Sequence, residues 1–85
     1  MSDSRTGSDD DILAAVIEIV SEEAGLAASQ ITRDSRFDDL DIDSLGLLTV
    51  ATQVEERFEV TIEDSVIPTL PTVGALADLV VRQRG

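Results

Sequence analysis

The chain is organised around the stretch Asp39-Leu40-Asp41-Ile42-Asp43-Ser44-Leu45, which sets a serine among acids at the start of a predicted helix. The sequence contains no histidine, cysteine or lysine, so the Ser44 hydroxyl has no neighbouring base of the usual kind. Carboxylates are too weak as bases near neutral pH unless they are strongly desolvated. The residues therefore predict a serine that another enzyme modifies, and no catalytic residue in the chain itself.

Asp43 and Ser44, at the start of this helix, can have different roles. If Asp43 caps the free backbone N–H groups of the first turn, the Ser44 hydroxyl stays available. A phosphate ester on that hydroxyl would lie beside the positive end of the helix, which stabilises an anion. The alternative is that Ser44 is no more than a helix cap.

Composition limits the fold and the partners. The chain has 85 residues, 42% of them apolar, and only two aromatic residues, which predicts one small domain with an aliphatic core. Its net charge is −12, from eighteen acids and six arginines. Such a surface repels nucleic acid, anionic membranes and other copies of itself, and favours basic partners. We therefore expect a monomer that binds neither nucleic acid nor membrane.

The N-terminal residues 1–8 are polar and are predicted to form a disordered tail, with residues 9–85 as one domain. Neither a signal peptide nor a membrane span is apparent, because the longest apolar run covers only residues 12–17. A cytoplasmic location is expected.

The acids before the serine also invite comparison with a calcium site. Asp39, Asp41 and Asp43 copy the first three ligand positions of an EF-hand loop. That loop requires glycine at its sixth position and glutamate at its twelfth, where this chain has Ser44 and Val50. The sequence therefore predicts no metal site.

Hydrophobic spacing predicts an all-α fold, a small four-helix bundle of three longer helices and one short helix. The longer helices cover about 9–24, 44–58 and the residues after Thr72, with Ser8 or Asp9 capping the first and Thr72 the last. Thr61 and Asp64 are spaced to open a short helix that Pro68 closes. Leu13, Val16, Ile17, Val20 and Ala24 are predicted to face the core from the first helix, and Ile31, Phe37 and Leu40 from the connection 26–43.

The second helix has two different faces. Its predicted inward residues are Leu47, Val50, Ala51, Val54 and Phe58. Leu45 and Leu48 point outward near the serine and are followed by Glu55 and Glu56, a pattern typical of a helix that docks to a partner. The alternative is that these are ordinary exposed leucines.

With these features in register, the chain resembles the acyl carrier proteins over about residues 9–83. The family's hallmark is Asp-Ser-Leu at the head of the second helix, present here as Asp43-Ser44-Leu45 after Asp39-Leu40. Further matches are Phe37 before the motif, Glu55, Glu56 and Phe58 closing the helix, Ile62 and Asp64 after it, and Thr72 and Val73 opening the last helix.

The resemblance implies that a phosphopantetheinyl transferase moves 4′-phosphopantetheine from coenzyme A to Ser44, between Asp43 and Leu45. The arm's thiol then carries acyl groups as thioesters. The resemblance implies docking of a ketosynthase, an acyltransferase and other synthase enzymes through basic patches, at Asp39, Asp41, Leu48, Glu55 and Glu56. It also suggests an acyl pocket lined by Val54, Ile62, Ile67 and Leu70, residues that are equally compatible with plain core.

The chain departs from the family's pattern at Gly46 and Thr49, where acids are frequent, at Thr52 and at Glu63. The departures near the serine thin the expected acidic surface, and they leave fatty-acid and polyketide pathways both open for a freestanding carrier. An aminoacyl or peptidyl carrier is an alternative, as is an acidic adaptor that is never modified.

The charge imbalance predicts a salt-dependent stability. Added salt or divalent cations should raise the melting temperature of the chain, because they screen the repulsion between its carboxylates. Thermal unfolding followed across a salt titration measures this, and a flat melting temperature would contradict it.

Overall fold

A computed structural model describes residues 9–84 of the chain, with side chains from residue 11 to residue 83. The predicted tail and the Ser8 cap lie outside the described residues. Within residues 9–84 the chain forms three α-helices, two single turns of 3-10 helix and no strand. The helices are α1 (Asp9–Ala24), α2 (Ser44–Phe58) and α3 (Val73–Arg84), and the 3-10 turns are Ala28–Gln30 and Ile67–Thr69. The predicted all-α fold is confirmed.

The core is aliphatic and lies where α1 packs against both α2 and α3. Eight large side chains in it are less than 2% exposed: Ile12, Val16, Val20, Val50, Val54, Val73, Leu76 and Val80. Burial of such side chains is the main favourable term in folding so small a domain. None of the helices described is both long and apolar enough to cross a membrane.

The predicted inward face of α1 packs against the core, but it was only part of the buried surface of the helix. Val16 and Val20 are buried, and Leu13, Ile17 and Ala24 are half-buried against the core. Ile12, Ala15 and Ile19 are buried as well. The reason is that α1 contacts two helices at once, so its buried arc is wider than the single stripe that the prediction assumed.

The connection between α1 and α2 is part of the core. Ile31, Phe37 and Leu40 are all less than 9% exposed, as predicted. The connection is also fastened to the start of α3, because the N–H groups of Val73 and Gly74 donate to carbonyls in it, those of Ser35 and Arg33, each at 2.9 Å. These bonds satisfy two of the amide groups that a helix start leaves without partners.

Thr72 caps α3 as predicted, since its hydroxyl accepts from the N–H of Ala75 at 3.2 Å. Arg33 reaches along the same helix, and its guanidinium binds both oxygens of Asp78, at 2.6 and 2.5 Å. Gly74 makes this approach possible. A Cβ there would collide with the Cγ of Arg33 and would stand 2.9 Å from its carbonyl oxygen.

The predicted short helix between Thr61 and Pro68 was wrong in position and type. The chain has a turn at residues 64–66 and then the 3-10 turn Ile67–Thr69, with Pro68 inside it. No helix begins at Thr61, and the N–H of Ile62 donates to the Glu55 side chain at 2.7 Å. Proline fits the first residues of a helical turn because it lacks an N–H that would need a partner there.

Replacing Gly74 by alanine should destabilise the fold by about 1–3 kcal/mol, because the new methyl group overlaps Arg33 and its backbone. Gly46→Ala is the matched control: its Cβ meets only side-chain atoms, the nearest at 3.0 Å, and its stability should stay within about 1 kcal/mol of wild type. Urea unfolding measures both changes. Equal stabilities for the two variants would contradict the tight contact at Gly74.

Candidate functional site

A turn with buried apolar and exposed acidic side chains leads into α2. It ends at Asp41, which adopts the left-handed conformation with φ of 62°. The N–H of Asp41 donates to the carbonyl of Asp38, and the N–H of Ile42 to that of Phe37, at 3.2 and 3.1 Å. This is the hydrogen-bond pattern that closes helical turns, and the side chains of Phe37 and Ile42 are both buried beneath it. The turn therefore fixes the direction in which α2 begins.

Asp43 caps α2. Its backbone is extended, its carboxylate accepts from the N–H of Gly46 at 2.9 Å, and its carbonyl accepts from Leu47 at 2.8 Å. Ser44 is consequently the first residue of the helix and is exposed. No hydrogen bond joins its hydroxyl to any residue that the structure describes. The division predicted from sequence, with Asp43 capping and the Ser44 hydroxyl available, matches this geometry.

The surroundings of Ser44 are negative. Asp39 and Asp41 are exposed, and neither forms an ion pair with another described residue, whereas Asp38 pairs with Arg36 at 3.7 Å. The hydroxyl thus lies between the positive end of a helix and a set of carboxylates. Within the described residues, no group of three or more acids is arranged to hold a metal ion.

The surface near Gly46 carries more negative charge than the sequence predicted, because an acidic side chain of another helix lies there. The glycine is buried, and the Oε2 atom of Glu23 lies 3.1 Å from the place where its Cβ would stand. A carboxylate from α1 therefore lies beside position 46. Sequence reasoning missed this neighbour because α1 and α2 are far apart along the chain.

A mainly apolar cleft of about 300 Å³ begins at the serine. It is lined by Ser44, Leu48, Asp64, Ile67 and Pro68. Of the predicted pocket residues, only Ile67 lies on it. Val54 and Ile62 are buried in the core and Leu70 is half-buried.

The outward face of α2 exposes the two predicted leucines, Leu45 at 75% and Leu48 at 43%. The hydroxyls of Thr49 and Thr52 donate to the carbonyls of these leucines, at 3.1 and 2.9 Å. The helix therefore presents apolar side chains at its start, near the acids around the serine.

The two glutamates near the end of α2 lie in different surroundings. Glu56 is exposed and borders a groove between α1 and α2, beside Arg57, which pairs with Glu18 at 3.4 Å. Glu55 is half-buried, and its carboxylate accepts from the N–H of Ile62 at 2.7 Å. No local sequence pattern signals that bond, which spans the turn after α2.

A small helical domain that presents a capped, exposed serine at the mouth of an apolar cleft has the architecture of a carrier for a covalently attached group. Residues 14–80 match the family model described as a phosphopantetheine attachment site. An acyl carrier protein of Beutenbergia cavernae is 50% identical over 68 residues, which are 79% of this chain and 83% of that one. The chain belongs to the phosphopantetheine-attachment family, as an acyl carrier protein.

Solved structures agree in fold. A free-standing peptidyl carrier protein from an uncharacterized secondary metabolic pathway of Acinetobacter baumannii superposes with a TM-score of 0.83 at 22% identity, over 94% of this chain and 100% of that one. The 3-oxo-butyl-ACP of the actinorhodin polyketide synthase of Streptomyces coelicolor superposes with a TM-score of 0.70 at 31% identity, over 91% of this chain and 90% of that one.

These relationships confirm the resemblance, the cofactor and the carrier role predicted from sequence. The chain bears covalent 4′-phosphopantetheine and serves fatty-acid or polyketide synthesis. Acyl carrier proteins are carriers rather than catalysts, and they interact with synthase enzymes and with a phosphopantetheinyl transferase. The geometry suits the group, because an exposed hydroxyl, the N–H groups of a helix start and an apolar cleft meet at one point.

Removing the cap should weaken the fold at this site. Asp43→Ala should lower the free energy of unfolding by about 0.5–2 kcal/mol, because the N–H of Gly46 loses its acceptor. Asp43→Asn is the control, since an amide oxygen can accept the same hydrogen bond and should retain most of the stability. Urea unfolding compares them, and an alanine variant as stable as wild type would contradict the capping role.

Proposed function

We propose that Ser44 is the attachment residue and that the chain passes acyl groups between the enzymes of a fatty-acid or polyketide pathway, with no catalysis of its own. The observation that supports this most directly is the Ser44 hydroxyl, which is exposed, has no hydrogen bond to the described residues and opens onto the cleft. The bound phosphopantetheine supplies the thiol that holds the acyl group. The chain itself supplies the hydroxyl, its orientation and the surface on which partners dock.

The base for attachment comes from the transferase. The Ser44 oxygen forms a bond to the phosphorus next to the pantetheine of coenzyme A, the diphosphate bond breaks, and the nucleotide leaves. The serine proton passes to a base of the transferase, since this chain contains neither histidine nor lysine. Asp43 holds the hydroxyl at the start of α2, and Leu45, next to it, is an apolar contact for the transferase.

Partners dock on the start of α2 and the turn before it. Asp39 and Asp41 are exposed carboxylates that attract basic patches over long range, and Leu45 and Leu48 give the apolar contact at short range. Exposed Glu56 extends the acidic surface toward the end of the helix. Glu55 borders the same face with one of its oxygens already bound by Ile62. The enzymes we expect there are the transferase, a ketosynthase and an acyltransferase.

The acyl chain enters the cleft beside Ser44. Ile67 lies on its wall, and the buried side chains of Val54 and Ile62, with half-buried Leu70, form the deeper lining when the cleft extends into the core. The aliphatic side chains of this deeper lining suit a hydrocarbon chain. The monomeric state and the cytoplasmic location expected from the sequence stay predictions.

The deciding experiment is intact mass after incubation with coenzyme A, magnesium and a promiscuous phosphopantetheinyl transferase. We expect one added phosphopantetheine on the wild-type chain and none on Ser44→Ala, because among the serines that the structure describes only Ser44 combines exposure with a capped helix start. No addition to a folded wild-type chain would overturn the carrier proposal and favour an unmodified acidic adaptor.

Loading of the modified chain then separates the carrier classes. An acyltransferase with a coenzyme A thioester should load an acyl carrier, whereas an adenylating enzyme with an amino acid should not. Loading by the adenylating enzyme alone would favour the aminoacyl or peptidyl alternative.

A further inference from the structure

The cleft beside Ser44 has two walls of different origin. Ser44 and Leu48 of α2 form one wall, and Asp64, Ile67 and Pro68 form the other. The second wall belongs to the segment between α2 and α3, which contains only one single turn of 3-10 helix. The distance between the walls therefore depends on how this segment is fastened to α2.

Glu55 fastens the segment in two ways. Its carbonyl accepts from the N–H groups of Glu59 and Val60, the second at 3.2 Å, where the chain turns through the left-handed conformation of Glu59. Its carboxylate accepts from the N–H of Ile62 at 2.7 Å. The Ile62 side chain is 3% exposed, so this bond fixes a residue that is packed in the core, two positions before Asp64 on the cleft wall.

The bond is short, half-buried and made to a charged acceptor, and such hydrogen bonds are roughly twice as strong as neutral ones. No other bond from the described residues reaches the N–H of Ile62. Loss of the carboxylate would leave a buried amide without a partner, which favours movement of the segment away from α2.

We propose that Glu55 is a positioning residue that holds the segment 59–64 against α2 and thereby sets the width of the cleft that shelters the acyl group. Glu55 follows Leu48 by two helical turns and lies at the edge of the docking face. A basic group of a docked partner therefore competes with the N–H of Ile62 for the carboxylate and widens the cleft. This inference rests on the proposed function.

The first test measures amide hydrogen exchange in the unmodified chain, so it is independent of whether Ser44 accepts the arm. Glu55→Ala should speed exchange at Ile62 by about tenfold or more, because the amide loses its only acceptor. Glu55→Gln keeps a weaker, neutral acceptor and should give an intermediate rate. Glu63→Ala, which removes the same charge next to Ile62, should leave the rate unchanged.

Exchange at the buried amides of Val16 and Val50 shows whether a variant has lost its fold as a whole. Faster exchange of all amides in Glu55→Ala would mean that this variant has lost its fold as a whole. The test then relies on Glu55→Gln. In that variant, only Ile62 and its neighbours should exchange faster than in the wild-type chain. Wild-type exchange at Ile62 in either Glu55 variant would overturn the proposal.

The second test uses the modified chain loaded with an octanoyl thioester and measures cleavage by hydroxylamine without any enzyme. Glu55→Ala should be cleaved several-fold faster than wild type, with Glu55→Gln between them and Glu63→Ala equal to wild type. Equal rates for all four chains would overturn the proposed role in the cleft. Failure of Ser44 to accept the arm is seen separately by intact mass and would overturn the carrier function instead.

Discussion

The hydrogen bonds from the first N–H groups of α3 to the carbonyls of Ser35 and Arg33 join the long connection to the last helix. Through them the connection becomes a packed layer, with Phe37 buried inside it. Phe37 in turn lies in the turn from which α2 starts. The position of the serine thus depends on contacts at the opposite end of the sequence, and a residue as distant as Gly74 contributes to them by leaving room for Arg33.

At the start of α2, the residue that caps the helix and the residue with the available hydroxyl are different residues. The Asp43 carboxylate accepts from the N–H of Gly46, so the Ser44 hydroxyl is not needed as the cap. A serine that capped the helix itself would have its hydroxyl engaged and partly shielded. The left-handed turn at Asp41 precedes this cap, and the carboxylates of Asp39 and Asp41 are exposed there.

The sequence predicted α2 and its serine well, because the cap, the apolar period and the family motif are all local signals around Asp43. It predicted the bounds of α1 but only part of its buried face, since that face depends on two partner helices. The short helix was predicted from the local spacing of Thr61 and Asp64, whereas the bond that holds this segment joins Ile62 to a side chain seven residues earlier. The proximity of Glu23 to Gly46 could not be predicted either, because it joins two different helices. What could not be predicted was the set of contacts between elements.

If partners dock on Leu45 as proposed, this single leucine, 75% exposed in the free chain, limits how long the carrier stays on any one enzyme. Full burial of a leucine contributes only about 1.5–3 kcal/mol, and carboxylates at the rim of an interface mainly speed the encounter. An interface built from such contacts forms quickly and dissociates quickly. Short residence times suit a chain that visits several enzymes in turn. Slow dissociation from one enzyme would otherwise limit the rate of the whole reaction sequence.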